Sequence, residues 1–122
     1  MKKITIKTEC SEIQAELNQS KTAELIWNKL PLEGKANLWG DEIYFEVPVQ
    51  AELENGREVV DEGEIGYWPT GTAICLFFGP TPASQGEEIR AASPVSIIGN
   101  ITDKLEALKE VKNGEKIRLE KR

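Results

Sequence analysis

Hydrophobic and polar positions alternate near both ends of the chain. Over residues 2–8, Ile4 and Ile6 point one way, and Lys3, Thr5 and Lys7 the other. Residues 12–17 repeat the pattern, with Ile13, Ala15 and Leu17 opposed to Glu12, Gln14 and Glu16. The short polar link Glu9-Cys10-Ser11 lies between them, so the two segments predict a β-hairpin with one buried face. The period then changes. Ala23, Ile26, Trp27 and Leu30 fall at i, i+3, i+4 and i+7, one apolar stripe of a helix. Ser20 or Thr22 can cap its first amides, and Pro31 stops it because proline cannot continue helical hydrogen bonding. Trp27 reads as packing between helix and sheet.

Residues 35–49 predict two strands about a Gly40-Asp41 turn. In the second, Ile43, Phe45 and Val47 alternate with Tyr44 and Glu46, and Pro48 marks its end or a sheet edge. From Asp41 to Glu64 there are nine carboxylates against one basic residue, Arg57, with an Asn55-Gly56 turn signal inside. That segment reads as a solvated excursion. Residues 64–78 predict strand, turn, strand, with Pro69 and Gly71 in the turn. The run from Thr72 to Pro82 is the longest apolar stretch, and its length predicts a strand buried on both faces. A Pro/Gly/Ser loop (79–86), a polar stretch (87–93) and a strand (95–101) follow. Thr102 or Asp103 can cap a second helix, with Glu106 placed for a capping box, Leu105 and Leu108 buried, and Asn113-Gly114 as its C-cap. In the last strand Ile117 and Leu119 face inward, and Lys116, Arg118 and Glu120 outward. The expected fold is one mainly β domain, residues 1–122: a closed, mostly antiparallel β-barrel of about eight strands with two capping helices.

Composition narrows the chemistry. The chain has no His, which removes the commonest general acid/base and metal ligand and rules out Ser-His-Asp and Cys-His mechanisms. Two distant cysteines, Cys10 and Cys75, make a zinc site or a disulfide a poor expectation, and Cys75 reads as a small buried hydrophobe. The net charge of −6 and the lack of a basic cluster argue against nucleic acid. No apolar run reaches the roughly 20 residues that span a bilayer, and the start does not read as a signal peptide. The expectation is a cytoplasmic protein with no metal and no cofactor, away from membranes.

The order of elements resembles a cyclophilin across nearly the whole chain. Lys21-Thr-Ala-Glu24 is similar to the opening of the first barrel-capping helix, and Phe77-Phe78 to the paired phenylalanines of a central strand. Ile97 to Ile101, Leu105-Glu-Ala107 and Asn113 to Ile117 are similar to the C-terminal run. The motifs Trp39-Gly-Asp-Glu-Ile-Tyr-Phe45, Tyr67-Trp-Pro-x-Gly71, Phe77-Phe-Gly-Pro-Thr-Pro82 and Ser93-Pro-Val-x-Ile-Ile-Gly99 resemble more closely a short, atypical cyclophilin-like family of bacteria and archaea. Cyclophilins surround a groove for a prolyl peptide with an Arg, an aromatic, a Gln, a Trp and a His. The matching strand here, Asn37 to Asp41, has neither Arg nor His. Phe45 (or Tyr44) stands for the pocket aromatic, the Gln position falls near Pro48, and the Trp and His positions fall near Arg90 and Val95.

The missing Arg would polarise the substrate amide as its C–N bond twists, so isomerase activity does not carry over directly. The expected function is therefore binding of a proline-containing peptide or small molecule at an aromatic groove. Its candidate residues are Tyr44, Phe45, Trp68, Phe78, Pro80 and Arg90. The alternative is a peptidyl-prolyl isomerase with non-standard residues, since that reaction needs no His, metal or covalent step. A hydrolytic or metal enzyme using Asp41, Glu42, Glu46 or Glu64 ranks last, because a run of acids near turns reads more readily as a solvated face.

Overall fold

The N-terminal hairpin forms as expected in the computed structural model, which describes residues 2–122. Strand β1 (Lys2–Lys7) pairs antiparallel with β2 (Glu12–Leu17), placing Ile4 opposite Ala15 and Ile6 opposite Ile13, all buried. Helix α1 (Lys21–Lys29) follows. Ser20 is its cap, accepting the Ala23 N–H at 3.1 Å. Thr22 is buried instead, and its N–H and hydroxyl donate to the Glu54 carboxylate at 2.9 and 2.8 Å. Ala23 and Ile26 enter the core. Trp27 packs at its edge, with the Lys2 and Lys121 ammonium groups 5.4 and 4.7 Å from its ring centre.

Eight further strands complete the fold: β3 (Leu32–Lys35), β4 (Asn37–Leu38), β5 (Glu42–Glu46), β6 (Arg57–Val60), β7 (Glu64–Trp68), β8 (Ala73–Phe77), β9 (Ile89–Ile101) and β10 (Lys116–Lys121). The sheet runs β3-β10-β1-β2-β9-β7-β8-β5-β4, antiparallel throughout, with β6 added along the first half of β9. The closed barrel expected from the pattern is not seen as a closed ladder. The two ends of the sheet do approach, since a Cβ on Gly34 of β3 would lie 3.0 Å from the Glu46 carbonyl oxygen at the end of β5. Side-chain packing, not a hydrogen-bonded strand pair, meets at that seam.

Three other expectations need correction. The second helix is a six-residue 3-10 helix, Leu105–Glu110, with no side-chain cap. Asp103 spends its carboxylate on the Lys104 N–H at 2.8 Å and the Gln14 N–H at 3.2 Å, tying the turn to β2 rather than closing a capping box. The acidic excursion is only partly solvated: Glu54 ties the first turn of α1, and its own N–H donates to Ser96 Oγ at 2.8 Å. Lastly, β9 begins at Ile89 rather than residue 95, because its first half pairs with β6 on one side, Ile89 opposite Val60.

Period-two alternation divides the interior in two. Strand β8 is buried at all five positions, as a strand covered on both faces should be. Ile74 and Leu76 face the main core, while Cys75 and Phe77 face a smaller cluster with Val60, Ile89, Ala91 and Val95. On β5, Ile43 and Phe45 likewise face the main core, leaving Glu42 and Tyr44 on the side of the small cluster.

Tyr67 of β7 anchors the chain after β5. Its buried hydroxyl donates to the Val49 carbonyl at 2.6 Å and accepts the Ala51 N–H at 3.2 Å. Tyr67→Phe leaves both backbone groups without that partner, so a loss of about 1–3 kcal/mol in urea unfolding is expected. A loss within error of zero would mean that water replaces the hydroxyl without cost.

Candidate functional site

The small cluster does not fill its side of the sheet. A cavity of about 160 Å³ remains, lined by Trp39, Glu42, Tyr44, Trp68, Cys75, Ala91, Ala92 and Val95. Each wall follows from local structure. Tyr44 stands directly across from Cys75, and Glu42 across from Phe77, because β5 and β8 are in antiparallel register. Trp39 sits on the tight β4–β5 turn, where its N–H donates to the Glu42 carbonyl at 2.9 Å and Gly40 takes a left-handed φ of 61°. Gly66 on β7 makes room for the far wall, since a Cβ there would lie 3.0 Å from Val95 and 3.3 Å from Phe77.

The loop after β8 packs against that turn. The Asp41 N–H donates to the Pro80 carbonyl at 2.9 Å, and the Phe78 N–H to the Asp41 carbonyl at 3.0 Å. A Cβ on Gly40 would stand 2.9 Å from the Pro80 oxygen, so only glycine allows this approach. Thr81 and Ser84 bind the same loop to Arg90 on β9: the Thr81 hydroxyl donates to the Arg90 carbonyl, and the Arg90 N–H donates to Ser84 Oγ. Gly79 to Pro82 is thus held beside the Trp39 turn, next to the cavity but outside its lining.

Two features give the cavity its chemistry. Tyr44 and Trp68 meet edge to face, with centroids 5.9 Å apart and planes at 79°, and Trp68 Nε1–H donates to Ser93 Oγ. Among the described residues, Glu42 is the only acid in the lining, and it is 4% exposed. Burial pushes its carboxyl up to about 7, partly offset by the Cys75 thiol beside it. Burial first, and Glu42 second, hold the Cys75 thiol well above its ordinary range, so it is not a nucleophile here.

Of the residues expected at the site, Tyr44 and Trp68 line this cavity. Phe45 does not: it is fully buried in the main core, on the opposite face of β5. Phe78 also packs into the main core. Pro80 lies exposed on the loop after β8. Arg90 is absent from the lining; its guanidinium pairs with Glu88 at 2.6 Å and Glu58 at 3.7 Å. The sequence pattern does not single out Trp39, Cys75, Ala91, Ala92 and Val95 as site residues, and it offers Glu42 only with Asp41, Glu46 and Glu64, as an acid of the last-ranked hydrolytic or metal reading or of a solvated face. The signal for Glu42 was present: it shares the β5 face of Tyr44 two positions on, next to a turn tryptophan. Among the described residues, no three carboxylates and cysteines gather as metal ligands, and no helix is long and apolar enough to cross a membrane.

Comparison with known proteins agrees with this architecture. No match is found among curated proteins. The solution structure of the hypothetical protein AF2241 from Archaeoglobus fulgidus matches with a TM-score of 0.84 and 42% identity, over 99% of this chain and 95% of that one. The structure of McbB in complex with tryptophan matches with a TM-score of 0.72 and 16% identity, over 98% of this chain and 44% of McbB, a likeness of fold alone. The family model described as Cyclophilin-like matches residues 2–120. The chain belongs to the cyclophilin-like family.

Proposed function

We propose that this is a binding protein that takes one ring or side chain, from a proline-containing peptide or a small molecule, into the cavity beside β5 and β8. The supporting observation is a cavity of about 160 Å³ walled by Trp39, Tyr44 and Trp68. Volume decides what enters: an apolar cavity of about 150 Å³ accommodates benzene, whereas pockets for drug-sized ligands start near roughly 300 Å³. One ring fits, and the rest of a peptide would lie outside it. Two free thiols, one of them exposed, fit a reducing cytoplasm, and the net charge of −6 fits neither nucleic acid nor an anionic membrane as partner.

The test is an NMR titration with an Ala-Pro peptide and with tryptophan, the latter because McbB shares the fold and was solved with it. Shifts are expected at Trp39, Glu42, Tyr44, Trp68 and Ala91. Shifts scattered over the surface, or none with either probe, would sink the reading. Isomerase activity is the alternative. Among the described residues lining the cavity there is no guanidinium to polarise a prolyl amide, so the exchange rate of the Ala-Pro bond is expected to match buffer alone. An acceleration of about tenfold or more would replace simple binding with catalysis.

A further inference from the structure

We propose that the group held in this cavity is an organic cation, a tertiary or quaternary ammonium seated among Trp39, Tyr44 and Trp68 and facing the Glu42 carboxylate. The inference rests on the reading of the cavity as a binding site and names the ligand's chemistry. Three of the eight lining residues are Trp or Tyr, whose ring faces attract ammonium groups. Tyr44 and Trp68 both line the cavity and stand at 79° to each other, so they present it with two differently oriented rings rather than one stacked surface.

Charge points the same way. Among the described residues, no Lys or Arg lines the cavity. Among the described residues, the ion pairs are made by Lys7, Arg57, Arg90, Lys116 and Arg118 with other acids, never with Glu42. A buried carboxylate is costly unless paired, and beside Glu42 stands only the neutral Cys75 thiol, so a cationic ligand would supply the charge partner that the lining lacks. A neutral ring would fill the volume and leave Glu42 against the Cys75 thiol alone, with no charge to favour its ionised form. An anion would meet the carboxylate with no cation to offset it, and a metal ion would find too few ligands. A primary ammonium brings three N–H donors into a lining with few acceptors, whereas a methylated one presents methyl groups to the rings and its charge to Glu42.

Binding should therefore depend on pH. The titratable groups facing Glu42 are Cys75 from β8 and Tyr44 from β5 itself. The Trp39 turn, β7 and β9 contribute Trp39, Trp68, Ala91, Ala92 and Val95, none of which titrates. With the carboxyl at about 7, it is largely protonated at pH 6 and largely ionised at pH 8. A cation selects the ionised form, so its affinity rises with pH across that interval, by about tenfold.

The test compares choline with 3,3-dimethyl-1-butanol, its neutral isostere, by calorimetry at pH 6 and pH 8. Choline is expected to bind at least about tenfold more tightly than the alcohol at pH 8, and to lose most of that preference at pH 6. Glu42→Gln should remove both the preference and the pH dependence. If this variant misfolds, the wild-type comparison of the two ligands across pH decides alone. Equal affinity for choline and the alcohol overturns the cation assignment and leaves the ring-binding reading standing. Binding of tryptophan or the Ala-Pro peptide without choline does the same. Failure of all four probes overturns both.

Discussion

Gly99→Ala is expected to lower stability by more than about 3 kcal/mol in urea unfolding, or to leave the protein unfolded at expression temperature. Gly99 lies on β9 where that strand pairs on both sides, with Leu17 of β2 and Ile65 of β7. A Cβ there would stand 2.1 Å from the Glu16 carbonyl oxygen and 3.0 Å from Leu17 Cα. Both are backbone atoms, so no rotamer change relieves the overlap. Relief requires moving β2 away from β9, and that ladder holds only three pairs: Ala15–Ile101, Glu16–Asn100 and Leu17–Gly99. It is also the one strand pairing between β3-β10-β1-β2 and β9-β7-β8-β5-β4 along the sheet order. A loss under about 1 kcal/mol would show that the strands separate at little cost and would refute the argument.

The second large effect concerns pH. Stability is expected to fall by about 3 kcal/mol between pH 5 and pH 8, and Glu42→Gln should largely abolish the fall. Burial raises the Glu42 carboxyl from an ordinary 4.5 to about 7 in the folded protein. Between those values the folded state holds a proton that the unfolded state has released. Stability therefore declines as pH rises through the interval, and the full cost is present above 7. Other shifted carboxyls act elsewhere. Hydrogen bonds from Thr22, Arg90, Lys104 and Arg118 hold Glu54, Glu88, Asp103 and Glu120 below their ordinary values, so their contributions are lost only in acid. Parallel pH profiles of midpoint stability for the wild type and Glu42→Gln would contradict the assignment.

Strands and the first helix were legible because each depends on a pattern a few residues long. The alternation of Ile4, Ile6, Ile13 and Leu17 needs one buried face, and the structure buries that face. The Ser20 cap and the stop at Pro31 are equally local. What failed was set by partners distant in sequence. Residues 89–94 show no clear period, and they become strand because Arg57–Val60 lies alongside them. Asp103 has the spacing of a cap but is claimed by the Gln14 amide, 89 residues away in sequence. Glu54 looked like one acid in a solvated run, and the open amides of α1 claim it.

By itself, the sequence determined the mainly β architecture, the family and the two-sided burial of β8, since residue period and motif order survive any arrangement of the sheet. It also placed Tyr44 and Trp68 among the candidates. Only the tertiary structure decided which face of β5 meets the cavity, sending Phe45 into the main core and Glu42 to the cavity wall. It also decided that Arg90 turns to Glu88 and Glu58 instead. The physical reason is shared. Alternation says that neighbours on a strand face opposite ways, but which way is inward depends on the strands stacked on either side. The charge state of a carboxyl depends in turn on how much water those strands leave it.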